Sequence, residues 1–271
     1  MPGRNGIDLD SMLETATRMA DAAAQVTLRH FRSATLDHSN KKESSFDPVT
    51  VADQGAEDAM RDILATERPD DGIYGEERAR THGSSGLTWI LDPIDGTRAY
   101  ISGVPVWGTL IALDDGKRGR IGVIDQPYIG ERFIGVPGDR PLAQFHRHGA
   151  INDLVARECP ALDQATLFTT DPYLFLGEEA DAFASLRQRV RLTRYGTDCY
   201  AYALLAAGQI DLVVESGLAA YDVASHVPLI QAAGGVITDW QGGDCRWGGR
   251  VVAAGDPRVH EQALEVLSQV S

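Results

Sequence analysis

The chain is poor in cysteine, in basic residues and in long apolar runs, and each shortage excludes something. Only Cys159, Cys199 and Cys245 occur in 271 residues, far apart and with no C-x-x-C pair. A sparse, odd set suits a reducing compartment rather than a disulfide scaffold. Lys and Arg number 25 against 39 Asp and Glu, for a formal charge of −14. That balance argues against a nucleic-acid surface, which needs clustered Lys and Arg. A small phosphorylated substrate stays open, because a bound divalent cation inverts the local field. No apolar run approaches membrane-spanning length, and the N-terminus has no uninterrupted apolar core of the signal-peptide kind. The expectation is therefore a cytoplasmic protein with no membrane partner. The seven histidines show no H-x-x-x-H pair, which argues against zinc hydrolysis. There is no internal repeat and no low-complexity tract.

What is present centres on W-I-L-D-P-I-D-G-T, Trp89 to Thr97. The apolar start reads as the end of a buried strand that delivers Asp92 and Asp95, with Pro93 rigid between them. Two acids this close repel and titrate as a pair unless a cation sits between them, and hard carboxylate oxygens suit Mg²⁺. Gly96 and Thr97 stand where a helix can begin, offering N–H groups to a phosphate oxygen. Asp-Pro and Asp-Gly are also ordinary turn formers, so on residues alone a plain turn remains open.

Along the chain, a capping-box pattern at Ser11 and Glu14 opens an amphipathic helix to about Arg32. A polar loop with Lys41 and Lys42 follows, then a helix begun by the segment Asp47 to Asp53 and running to about Ala65. Ile73 and Tyr74 read as a strand ending at Gly75-Glu76-Glu77, where glycine lets the chain turn and a carboxylate point inward. Trp107–Leu113, Arg120–Ile124 and Arg132–Val136 read as antiparallel strands. The polar stretch from Pro137 to Gly149 is the expected boundary between an N-terminal α+β half, 1–148, and a C-terminal α/β half, 149–271. In the second half strands are expected at Thr166–Thr169, Arg191–Tyr195, Asp211–Glu215, Val236–Thr238 and Val251–Ala254. Helices are expected at Glu178–Gln188, Asp198–Ala207, Asp222–Ala233 and Val259–Leu267. The predicted fold class is α/β, with alternating helix and sheet layers in both halves and a ligand cleft between them.

Three separated motifs, G-E-E at Gly75 to Glu77, D-P-I-D-G-T at Asp92 to Thr97, and Tyr221-Asp222 before an apolar segment ending Ala233-Gly234-Gly235, resemble the inositol monophosphatase-like family of magnesium-dependent, lithium-sensitive phosphatases. The resemblance implies that Glu76, Asp92 and the carbonyl of Ile94 hold a first Mg²⁺, and that Asp92, Asp95 and Asp222 hold a second. It leaves room for a third, weaker ion near Glu76. An attacking water would be oriented and deprotonated by Thr97 and Glu76, with Asp53, in the motif Thr50 to Asp53, supporting Thr97. Lys42 matches a lysine that stands near metal-bound waters. Gly96 and Thr97 N–H groups would hold the phosphoryl oxygens, no phosphoenzyme would accumulate, and a homodimer is common in the family. Taken alone, Asp222 reads equally as a helix N-cap.

Substrate choice is expected around Arg194, Tyr195, Gly196, Thr197, Asp198 and Glu215. In the inositol phosphatases the position of Asp198 is typically small and apolar, whereas this chain has acids at both 198 and 215. Two carboxylates beyond the metals suit a substrate with a positive end, since unpaired charge pulled from water is costly. The residues Asp95 to Gly103, Trp107 to Leu110 and Asp198 to Tyr202 resemble the histidinol-phosphatase branch of the family. The expected function is magnesium-dependent hydrolysis of L-histidinol phosphate in histidine biosynthesis. The alternatives weighed are an inositol-1-phosphate phosphatase, a nucleotide 3′-phosphatase and a non-catalytic magnesium or phosphoester-binding regulator. Arg194 is left between meeting the phosphate, pairing with Asp198 and facing solvent.

Overall fold

A computed structural model describes residues 8–33, 38–40 and 48–270. Helix α1 (Leu9–His30) precedes two short antiparallel strands, β1 (His38–Asn40) and β2 (Pro48–Thr50), and helix α2 (Val51–Glu67). A seven-stranded sheet follows: β3 (Gly72–Gly75), β4 (Thr88–Asp95), then, after the short helix α3 (Thr97–Ile101), β5 (Gly108–Asp114), β6 (Gly119–Gln126), β7 (Glu131–Val136), β8 (Leu142–Arg147) and β9 (Ala150–Asp153). Its strands lie in chain order, antiparallel except for β3 beside β4. The rest of the chain is β10 (Thr166–Thr169), α4 (Glu178–Arg187), β11 (Leu192–Tyr195), α5 (Tyr200–Ala206), β12 (Leu212–Leu218), α6 (Ala220–Val223), α7 (His226–Ala232), β13 (Val236–Thr238), β14 (Gly249–Ala254) and α8 (Pro257–Leu267). Its five strands form a second, mixed sheet in the order β11-β10-β12-β14-β13.

Strand alternation builds the layers. On β5, Ile111 and Leu113 join Met12, Met19 and Met60 of α1 and α2, while Leu110 points the other way, to α5 and α7. On the second sheet, Val213, Val251 and Ala253 face that same helical layer, and Leu212, Val214, Val252 and Ala254 face Phe183 of α4 and Val259 of α8. The result is helix, sheet, helix, sheet, helix, the layered α/β class read from the sequence.

Local differences have local causes. Asp8, not Ser11, caps α1, its Oδ1 accepting the Ser11 N–H at 3.2 Å. Pro48–Thr50 is strand, and α2 starts at Val51 with Thr50 as its cap. The stretch from Pro137 to Gly149 holds β8, and β9 pairs with it, so the first sheet runs on to Asp153. Every residue of β9 is exposed, and an outer edge of this kind carries polar residues that read as loop. The helix expected over Asp222–Ala233 is broken into α6 and α7. Pro228 has no N–H for the Ala224 carbonyl, so it fits only in the first turn of a new helix.

Helix α7 sits on the first sheet across a strip of glycine. A Cβ on Gly122 would come 2.0 Å from Ser225 O, and one on Gly135, its register partner, 2.2 Å from Leu229 Cα. Both obstacles are backbone, which cannot rotate away. Gly135→Ala is expected to lower unfolding free energy by about 1–3 kcal/mol or more, as overpacking does; a denaturation midpoint equal to that of the parent chain would contradict this seating.

Candidate active site

The centre is a bulge in β4. Alternation sends Leu91 to the α1/α2 side and Ile90 to the middle layer beside Ala224, and Asp92 shares the face of Ile90. Asp95, three residues on, would point to the opposite face of a regular strand. Instead Asp92 lies opposite Leu110 and Asp95 opposite Gly108, so three steps on β4 match two on β5. One extra residue turns both acids the same way. A bulge also tolerates Pro93, whose carbonyl accepts from Thr109 Oγ1 at 2.8 Å.

Helix α6 lies against β4 and brings Asp222 to this face. Asp92, Asp95 and Asp222 each offer a carboxylate oxygen, and these lie within 4.8 Å of one another. Each aspartate has one oxygen held by a backbone N–H: Asp92 by Ile94 at 3.0 Å, Asp95 by Cys199 at 2.7 Å and Asp222 by Ala219 at 2.7 Å. Asp222 is thus not the N-cap, which is Ala219, but the third residue of α6 reaching back to the Ala219 N–H, and it is also a member of the cluster. Burial first, then Glu76, Asp95 and Asp222, hold the Asp92 carboxyl well above the usual range. Asp95 is raised likewise by burial, Asp198 and Asp222. Glu76, half-buried at the end of β3, donates its N–H to Leu91 O at 3.2 Å and meets Asp92 through its side chain. Hard oxygen donors crowded until they repel fit a small divalent cation, which relieves both burial and repulsion.

Next to the cluster, Thr97 donates to Ile94 O at 3.0 Å. Asp53 is fully buried on α2; its Oδ2 accepts from Thr50 N at 2.8 Å and Thr50 Oγ1 at 2.6 Å, and its Oδ1 has no partner among the described residues. Burial pushes Asp53 up to about 6 against the opposing Thr50 bonds. Gly96 is left-handed at φ +80°, and a Cβ there would sit 3.1 Å from Asp198 Cβ. Glycine is needed at 96 on both counts.

The second half contributes Thr197, Asp198 and Glu215. The Asp198 carboxyl lies over Gly96, itself at φ +44°, and burial raises it to about 6. Glu215, fully buried on β12, is pushed by burial to about 8 although it accepts from Thr170 N, Thr170 Oγ1 and Thr169 Oγ1 at 2.7, 3.0 and 3.3 Å. Asp198 adds to that rise, so the two acids share one electrostatic neighbourhood. Thr197 Oγ1 is buried with no partner among the described residues. Arg194 is exposed on β11 and Gly196 is exposed in the turn after it; neither takes part in the contacts that tie the acids together. Lys42 lies outside the described residues.

Three participants were not read from the sequence. Thr109 holds the bulge. Tyr202 is buried with its hydroxyl unpartnered among the described residues, and its ring stacks on the buried His226 at 4.0 Å. Glu57 lies under the loop that carries Glu76, accepting the Glu77 N–H at 2.6 Å. Its signal was available: it stands one helical turn from Asp53, on the same buried face.

The model of the "Inositol monophosphatase family" matches residues 8–271. The chain is 44% identical to the chloroplastic bifunctional phosphatase IMPL2 of Arabidopsis thaliana, over 96% of this chain and 76% of that one. It is 33% identical to a histidinol-phosphatase of Streptomyces coelicolor, over 95% and 97% of the two chains. Among solved structures, an inositol monophosphatase from Zymomonas mobilis superposes with a TM-score of 0.83 at 43% identity, covering 97% of this chain and all of that one. The acidic cluster on a bulged strand and the match over almost the whole length agree: this chain belongs to the inositol monophosphatase family, whose members are phosphatases.

Proposed function

We propose that this phosphatase hydrolyses L-histidinol phosphate to L-histidinol and phosphate, using Mg²⁺ held by Glu76, Asp92, Ile94 O, Asp95 and Asp222. The observation that carries the substrate assignment is the pair Asp198 and Glu215, two acids outside the cation cluster, where Asp198 adds to the rise of Glu215 and Arg98 offsets only part of the burial of Asp198. A substrate with an ammonium end relieves that burden, whereas a neutral polyol leaves it. Relatives named histidinol-phosphatase support this reading. The high identity to a solved inositol monophosphatase favours inositol phosphate as the second reading.

Bound Mg²⁺ supplies Lewis acidity at the phosphoryl oxygens and acidifies water. The chain's own residues do the rest. Backbone N–H groups of Gly96 and Thr97, at the start of α3, would hold phosphoryl oxygens. Thr97 is kept in place by Ile94 O and would orient the attacking water. Glu76 would share that role and accept the water's proton, and Asp53, buried and raised to about 6, would support Thr97. The Asp53 charge reaches α3, where it helps to raise Tyr100.

The deciding assay is phosphate release with Mg²⁺, comparing kcat/KM for L-histidinol phosphate and myo-inositol 1-phosphate; preference for the inositol ester overturns the substrate assignment. Asp198→Asn keeps a residue that tolerates the left-handed backbone and removes the charge. It is expected to cut kcat/KM for histidinol phosphate about 10-fold more than for inositol phosphate, and equal losses would remove the cationic-end argument. Asp92→Asn and Asp95→Asn retain an oxygen for the Ile94 and Cys199 N–H groups, so the fold should survive while turnover falls more than about 100-fold, beyond the usual effect of outer residues; circular dichroism and phosphate release check both halves. Asp92 and Asp95 are raised, so metal-free stability falls as pH climbs through their folded values. Mg²⁺ removes that cost and competes with protons, and should raise Tm more at about pH 8 than at about pH 5. Scanning fluorimetry showing equal gains at both would contradict the cluster as the cation site.

A further inference from the structure

Resting on the cation reading of this cluster, we infer that Glu57 and Arg61 are positioning residues that set the direction of Glu76. The Glu57 carboxylate is fully buried and each of its oxygens is used: Oε2 accepts the Glu77 N–H at 2.6 Å and Oε1 accepts Arg61 Nε at 2.7 Å. Arg61 continues along the same loop, donating to Arg78 O at 3.4 Å, Ala79 O at 3.2 Å and Thr81 Oγ1 at 3.3 Å. The backbone is therefore pinned on both sides of Glu76, by its own N–H to Leu91 O and by the next N–H to Glu57. Two fixed peptide planes leave the Glu76 side chain little choice but the face of Asp92.

Gly75 belongs to this device. A Cβ there would lie 2.1 Å from Glu57 Oε1 and 2.4 Å from its Cδ, and the residue is not left-handed. Glycine at 75 thus admits a buried carboxylate against the main chain, in place of the turning role suggested by sequence. A fully buried carboxylate is costly unless paired, and Arg61, itself mostly covered, is the pair.

Glu57→Gln keeps shape but sets an amide donor against either Arg61 or the Glu77 N–H. Calorimetric titration of the full chain with Mg²⁺ and with Mn²⁺ is expected to show about 10-fold weaker binding, the scale of a lost outer partner. Maximal turnover should recover at high metal. In a Glu76→Gln background the same change should cost nothing further, because its effect passes through Glu76. Unchanged affinity in Glu57→Gln, or the same 10-fold loss with Glu76 already neutralised, overturns the inference. Should Glu57→Gln fail to fold, Arg61→Lys, which keeps the charge and loses the carbonyl bonds, carries the test, and a folded Arg61→Lys with parental affinity also overturns it. Parent protein that binds neither ion brings down the cation reading together with the inference, whereas a binding parent and an unaffected variant bring down the inference alone.

Discussion

Everything in this molecule bears on one unfavourable arrangement, carboxylates buried close enough to raise each other's proton affinity. Asp92, Asp95 and Asp222 would not stay together on their own charges. Each has one oxygen held by a backbone N–H, and these three donors come from Ile94, Cys199 and Ala219, that is from β4, the start of α5 and the start of α6. Such bonds lower a carboxylate's proton affinity without covering both of its oxygens. The fold thereby fixes orientation and keeps the carboxylates crowded, which is the electrostatic condition for holding a divalent cation.

The layering explains why this can be done across the chain's two sheets. Asp92 and Asp95 come from the first sheet, Asp222 and the Cys199 N–H from the helical layer that the second sheet also covers. Small drifts of α6 and α7 would separate the acids by more than a cation can bridge. The glycines at 122 and 135 let that layer approach the first sheet to backbone distance, so its height is set by contact between main chains. Main-chain contact is stiffer than contact through rotatable side chains, and stiffness here is what keeps the carboxylates near one another.

The ease of reading each part from sequence follows from how local its cause is. Asp92 and Asp95 were legible because their geometry is made within nine residues, by a strand end, a proline and a glycine. The layered class was legible because Ile111, Leu113, Val213 and Val252 obey alternation without exception. Asp222 on its own residues looks like a helix N-cap, whereas it stands one turn in and accepts the N–H of the N-cap Ala219; only the family resemblance gave it a place in the cluster. β9 was missed because an exposed edge needs no apolar face, and β8 because its core contacts, Leu142, Ala143 and Phe145, sit among polar residues. For Glu57 the spacing from Asp53 signalled a shared helix face, but that spacing does not say what will lie over it. Its meaning depends on Gly75, eighteen residues away, having no side chain.

The acidity of the chain then takes on a mechanistic sense. A protein of charge −14 has little general attraction for a phosphate ester. At the cluster itself the field without a cation is repulsive to any anion, since the nearest charges are carboxylates. On the proposed reading, affinity for the phosphate end is therefore conditional on cation loading, while a positive end would favour the charged forms of the acids at 198 and 215, which burial disfavours. A zwitterionic substrate senses both conditions at once, and a polyol phosphate only the first. On that reading a cationic end adds a contact at these acids that does not pass through the metals, and a neutral polyol adds none.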